Sequence, residues 1–167
     1  RIGSSFARMA AAFRMRVLSY DPHVPTATHR NLHAMLAESD FVSIHCVLNH
    51  ETRHLMGSRE LGAMKPGAFL INVSRGAIVD EAALLGSLEN GRLAGAALDV
   101  YSREPLSRRG HPLSALYAMD NVILSPHAIC WTDELFRGNG RAACRSILDV
   151  AAGRVPQQPG FGLAHGR

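Results

Sequence analysis

The sequence predicts an α/β protein, a parallel sheet with helices on both faces. Three observations carry this. Short apolar runs alternate with stretches of helical periodicity along the chain. The apolar runs, such as Phe69 to Val73, are continuous rather than alternating, as in strands buried on both faces. The residues suited to chemistry stand directly after those runs, where open parallel sheets bind ligands.

The elements follow in order. Ser4 to Phe13 reads as a helix with Phe6, Met9, Ala10 and Phe13 on one face. Arg16 to Tyr20 reads as a short strand that ends at the turn signal Asp21-Pro22. Leu32 to Glu38 is a predicted helix and Phe41 to Val47 the next strand. Arg59 to Met64 fits a short helix stopped by Lys65-Pro66-Gly67, before the strand Phe69 to Val73. Asp80 has the side chain of an N-cap, and Asn90-Gly91 is a fitting stop for the helix it opens. Ala94 to Leu98 and Val122 to Leu124 are further strands, and a last helix covers about Asp133 to Ala152. Pro156 to Arg167, rich in Gly, Pro and Gln, reads as a loose tail.

The composition narrows the function classes. The chain has 167 residues, enough for one domain with a real core, and 47% hydrophobic with 19% charged residues argues against disorder. No apolar run approaches the ~18 residues of a membrane span, and no signal peptide is visible. The net charge of +4 comes from scattered, unclustered basic residues, which argues against nucleic-acid binding, and a mild positive balance suits a small anionic ligand just as well. Cys46, Cys130 and Cys144 are odd in number and form no C-x-x-C pair, so they read as reduced thiols in a cytoplasmic protein. The spacing of His45, His50 and His54 crosses a strand end and a loop, and no metal site is expected.

Four groups of residues carry the chemistry. Arg1-Ile2-Gly3 leads into the first helix, and Asp21 ends the following strand 18 positions after Gly3. In G-x-G-x-x-G dinucleotide sites the glycines admit a pyrophosphate to a helix N-terminus, and an acidic residue ~20 positions on accepts the ribose hydroxyls. Only the last part of that motif is present, and read alone these residues fit a helix start and an Asp-Pro turn equally well. Asn72-Val73-Ser74-Arg75-Gly76 closes a buried strand, and Arg75 offers a two-pronged donor for a carboxylate or a structural ion pair. Asp99 ends the next strand, with Glu104 on the loop beyond it, where a glutamate is ordinarily solvated. Ser125-Pro126-His127 follows the strand Val122 to Leu124. Histidine can exchange a proton near neutrality, and a carboxylate beside it would fix its tautomer.

In that order, the helix start after x-x-G, strand-Asp-Pro, N-V-S-R-G with I-V-D-E, G-A-A-L-D-V with E-P, and N-V-I-L-S-P-H resemble the D-isomer-specific 2-hydroxyacid dehydrogenases over Arg1 to Gly153. The resemblance implies a Rossmann-type doubly wound sheet in three α/β/α layers, here with the first strand missing. It implies that residues 1–153 are the NAD-binding domain, that residues 154–167 are a disordered tail, and that the substrate domain is absent. The chain opens on Arg1 inside a motif, so a fragment is expected.

By resemblance, Arg75 binds the substrate carboxylate, His127 is the acid/base and Glu104 its partner. Arg1, Ile2 and Gly3 would lie beside the pyrophosphate, and Asp21 would hold the adenosine ribose and favour NAD over NADP. Cys46, Val73, Ser74, Arg75, His127 and Ala128 would line the cofactor cleft, with Asp99 at its nicotinamide end. The implied activity is interconversion of a 2-keto acid and a D-2-hydroxy acid, in a homodimer. Glyoxylate, hydroxypyruvate, pyruvate and 3-phosphohydroxypyruvate all fit such a site. An NAD-sensing corepressor-like protein and an inactive fragment are the alternatives. The chain departs from the family in its long loop through Ser107-Arg108-Arg109-Gly110. It departs again at Ala128-Ile129-Cys130-Trp131, which stands where a Gly-rich stretch is common, and Trp131 there could shape the pocket or pack on another domain.

Overall fold

A computed structural model describes residues 2–128 and 132–156. The chain divides into two compact units, Arg1–His127 and Ala128–Arg167. The first holds helices α1 (Ile2–Ala12), α2 (Leu32–Glu38), α3 (Ser58–Ala63) and α4 (Glu81–Glu89), and strands β1 (Phe41–Ile44), β2 (Ala68–Asn72), β3 (Leu93–Leu98) and β4 (Val122–Leu124). Short 3₁₀ turns at Gly76–Ile78 and Ser114–Ala118, which hydrophobic periodicity does not register, complete it. The second unit contains α5 (Asp133–Ala151), opened by Thr132, whose hydroxyl accepts the Leu135 N–H.

The four strands are parallel and lie in the order β1-β2-β3-β4. Register places Val42, Leu70, Ala96 and Val122 in one row across the sheet, and Ile44, Asn72, Leu98 and Leu124 in the next. Those rows point toward α2, α3 and α4, where Leu36, Leu61, Met64, Leu84 and Leu88 join the same core with Leu113 and Leu116. Leu36, Leu61, Leu70 and Ile78 are fully buried. The alternate positions turn to the opposite face, where Phe41 and Phe69 stack at 5.2 Å, and Phe41 and Ile123 remain exposed.

The predicted helix caps are found as read. Asp80 accepts the N–H groups of Ala82 and Ala83, and Gly91 beyond the C-cap Asn90 has a φ of +71°. Arg16–Tyr20, expected as a strand, is not one. It makes only an isolated bridge from Tyr20 to His29, because no described strand lies on the outer edge of β1 for it to pair with. β1 also stops at Ile44 rather than Val47, since its ladder with β2 ends at Ile44–Asn72. The apolar face read on α1 contributes nothing to the core: no α1 residue is buried, and Phe13 is 83% exposed. The helix touches the unit through Gly3 and Phe6 against His45. Of the predicted tail, residues 157–167 lie outside the described residues, as do Arg1, Cys130 and Trp131.

Candidate active site

Parallel register decides where the chemistry gathers. Ile44, Asn72, Leu98 and Leu124 end the four ladders side by side, so the residues after each strand share one edge of the sheet. Cys46, Ser74 and Arg75, Asp99, and Ser125 to His127 all emerge there. The edge is tied laterally: the Ser74 hydroxyl donates to the Cys46 carbonyl, the Asp99 N–H to the Asn72 carbonyl at 3.0 Å, and the Ser125 N–H to the Leu98 carbonyl at 3.0 Å.

Asn72 is buried and folds the turn that presents Arg75. Its amide nitrogen donates to the Arg75 carbonyl at 3.0 Å, and its side-chain oxygen accepts the Ser74 N–H at 3.1 Å. Gly76 is required next. A Cβ there would stand 1.9 Å from the Tyr101 carbonyl carbon, so this turn lies directly on the loop that leads to Glu104. The Arg75 side chain is exposed, and its Nη1 donates to the Ser74 carbonyl at 2.6 Å.

The loop after β3 is held at successive residues. Tyr101 is buried, and its hydroxyl donates toward the carbonyls of Ser125 at 2.9 Å and Leu98 at 3.1 Å. Burial and these surroundings push the Tyr101 hydroxyl up to about 12, so it is a neutral structural donor. Glu81, at the start of α4, accepts the Ser102 N–H at 2.7 Å and the Ser102 hydroxyl. Glu104 then accepts the Tyr101 N–H through Oε1 at 3.1 Å and meets Nδ1 of His127 through Oε2 at 2.8 Å. Both partners of that pair are about one-third exposed, at 37% for Glu104 and 36% for His127. Burial raises the Glu104 carboxyl, but the bonds from His127 and Tyr101 and the charges of His127 and Arg75 outweigh it and leave the group below its usual range. Arg75 therefore stands within electrostatic reach of the pair without bonding to it.

His127 adopts a left-handed backbone, φ +55°, sparsely used by non-glycine residues. Such a conformation persists only where the surroundings impose it, and it concentrates at functional sites. With Nδ1 engaged by Glu104, Nε2 is the nitrogen left for proton exchange with a ligand.

The cofactor candidates fall into two sets. Asp99 is buried and accepts the Ser125 hydroxyl at 2.6 Å. Cys46, half-buried, has its thiol raised by burial and by the charge of Asp21. Val73 is exposed beside Ser74, and Ala128 follows His127. Gly3 and Ile2 begin α1, and a Cβ on Gly3 would lie 3.1 Å from the His45 Cβ just beyond β1. Asp21 does not end a strand; it caps its own turn, accepting the His23 N–H at 2.9 Å. Arg1 lies outside the described residues.

The motifs contain Asn72, Glu81 and Ser125 without assigning them a role, and they do not single out Tyr101. Each acts through backbone or second-side-chain contacts that spacing does not encode. The available signal was a polar residue inside an apolar strand end, as with Asn72 in Phe69 to Val73.

The family model described as D-isomer specific 2-hydroxyacid dehydrogenase, NAD binding domain, matches residues 1–128. A glyoxylate reductase of Aeropyrum pernix is 41% identical over 179 residues, across 96% of this chain and 52% of that protein. A D-isomer specific 2-hydroxyacid dehydrogenase from Lactobacillus delbrueckii ssp. bulgaricus, solved in its NAD complexed form, superposes with a TM-score of 0.83 at 31% identity over 93% of this chain and 52% of that one. A dehydrogenase of the same description from Xanthobacter autotrophicus Py2, solved with NADPH and MES, is 39% identical with a TM-score of 0.67 over 75% of this chain and 50% of that one. The chain thus spans about half the length of the relatives it matches.

Proposed function

The chain belongs to the D-isomer-specific 2-hydroxyacid dehydrogenase family, as its NAD-binding domain, and from that premise we propose that the protein it serves interconverts a 2-keto acid and a D-2-hydroxy acid. The observation that carries this reading is the 2.8 Å pair of His127 and Glu104 on the strand-end edge, with Arg75 within electrostatic reach.

The residues present fit a nicotinamide dinucleotide. The α1 N-terminus lies against His45, just past β1, and helix N-termini at this edge of a parallel sheet suit phosphate. Ile2 and Gly3 would face the pyrophosphate, Asp21 the adenosine ribose, and Cys46, Val73 and Ser74 the cleft between. Asp99 and Arg75 would stand near the nicotinamide. When bound, the reduced cofactor supplies the hydride. Arg75 anchors the substrate carboxylate by charge and paired hydrogen bonds, fixing which face of the carbonyl is presented. His127 delivers a proton to the keto oxygen, and in the reverse direction removes it from the hydroxyl. Glu104 holds the imidazole by Nδ1 and complements the positive charge it carries when protonated.

In the same reading residues 1–153 are the cofactor domain and the last residues a tail, with the substrate-binding half of the cleft supplied by other sequence. A cytoplasmic homodimer acting on a small acid is the setting. Incubating the full-length protein containing this chain with glyoxylate, hydroxypyruvate, pyruvate and 3-phosphohydroxypyruvate, and following NADH absorbance, tests the reading. Consumption with at least one is expected; NADH binding with no consumption of any would contradict it.

A further inference from the structure

His111 lies seven residues beyond Glu104, outside the trio, and is 5% exposed. Both its ring nitrogens are engaged by backbone. Nδ1 accepts the Leu113 N–H at 3.0 Å, and Nε2 lies 2.9 Å from the Arg103 carbonyl. The pattern fixes the tautomer. A nitrogen that accepts an N–H carries a lone pair, so the single proton of the neutral ring sits on Nε2 and is donated to Arg103.

The two contacts join very different parts of the loop. Leu113 and Leu116 are each 1% exposed and belong to the core, so the Leu113 side of the ring is anchored. Arg103 is exposed, and its carbonyl belongs to the peptide that enters Glu104. The Arg103–Glu104 peptide plane is thereby set from the core, across the exposed segment Ser107 to Gly110. Upstream, Glu81 fixes Ser102 and Gly76 abuts Tyr101. Downstream of Glu104 the Tyr117 hydroxyl donates to the Leu106 carbonyl at 3.1 Å and Leu106 packs on the core, but both act two residues beyond Glu104, whereas His111 bonds the Arg103 carbonyl directly.

We propose that His111 is a positioning residue for Glu104: its buried neutral imidazole clasps the 103–113 loop to the core and so sets where the Glu104 carboxylate meets His127. The inference rests on the proposed function only in treating that pair as the catalytic one; the clasp itself is a statement about geometry. The groups that face the Glu104 carboxylate are His127 and Arg75, both of which favour its anion. Its titration therefore reports how well it is placed.

Asparagine and glutamine divide the two bonds. Asparagine keeps an acceptor near Nδ1 for the Leu113 N–H but stops short of Arg103. Glutamine reaches as far as Nε2 and can donate to the Arg103 carbonyl. The test is carbon-detected NMR titration of the Glu104 carboxyl in the 167-residue chain, assigned through Glu104→Gln, with thermal unfolding run alongside. His111→Asn is expected to shift the midpoint upward toward the usual glutamate range, and His111→Gln to return it. An unchanged midpoint in folded His111→Asn, or equal shifts in both variants, would overturn the proposal. Should His111→Asn not fold, the ring nitrogen shifts of His111 decide: a neutral-form proton on Nε2 supports the clasp and one on Nδ1 refutes it. Turnover does not enter this readout, so failure of the clasp and failure of the dehydrogenase reading are separate results.

Discussion

Glu104 shows how a carboxylate on a loop is made specific. Burial alone would favour its neutral form, while one backbone donor, one imidazole and the Arg75 charge favour the anion, and the anion prevails. A folded-state value lowered below the unfolded one means the contribution of the pair is whole above the unfolded value. It is lost as pH falls through the lowered folded value. His127→Ala should therefore move the Glu104 midpoint upward, read by the same carbon-detected titration; no movement would mean the pair is incidental. Asp21 supports a second prediction. It is exposed, and its charge lies where a 2′-phosphate would be repelled under the proposed cofactor pose. Asp21→Ser should lessen discrimination against NADPH by about tenfold or more, roughly the 1.4 kcal/mol of one lost like-charge contact, in paired NADH and NADPH binding titrations. Glu104 and His127 were legible in the sequence through the ordered motifs that contain them, since alone a loop glutamate is ordinarily solvated. Tyr101, Ser125 and His111 were not, since their partners are carbonyls and N–H groups whose positions only the fold supplies.

Elements were legible wherever local chemistry decides them. Asp80 and Asn90-Gly91 bound α4 as read, because caps depend on neighbouring backbone alone. Arg16–Tyr20 differs from its predicted strand for the converse reason: a strand is completed by its neighbour, and the described sheet offers it none. The close approach at Gly76 was equally hidden, although the glycine was visible. Gly76→Ala would force a methyl onto the Tyr101–Ser102 peptide, which cannot yield like a flexible side chain. The expected loss is about 3 kcal/mol or more of stability by denaturant unfolding, at the upper end for overpacking, together with displacement of Glu104. Leu70→Ala, in the centre of the buried row between β1 and β3, should cost about 2–5 kcal/mol while leaving the strand-end residues in register. A loss below ~1 kcal/mol would mean that the α2–α4 face is not the core that supports the site.

At the scale of the molecule, the chain holds the NAD-binding domain of the D-isomer-specific 2-hydroxyacid dehydrogenase family and spans about half of its matched relatives. The roles of Arg75 and His127 are open to test in the full-length protein. Arg75→Ala and His127→Ala should each lower turnover of NADH with the accepted 2-keto acid by orders of magnitude, while NADH affinity stays largely unchanged. Turnover that survives either substitution intact would contradict the roles assigned to these residues.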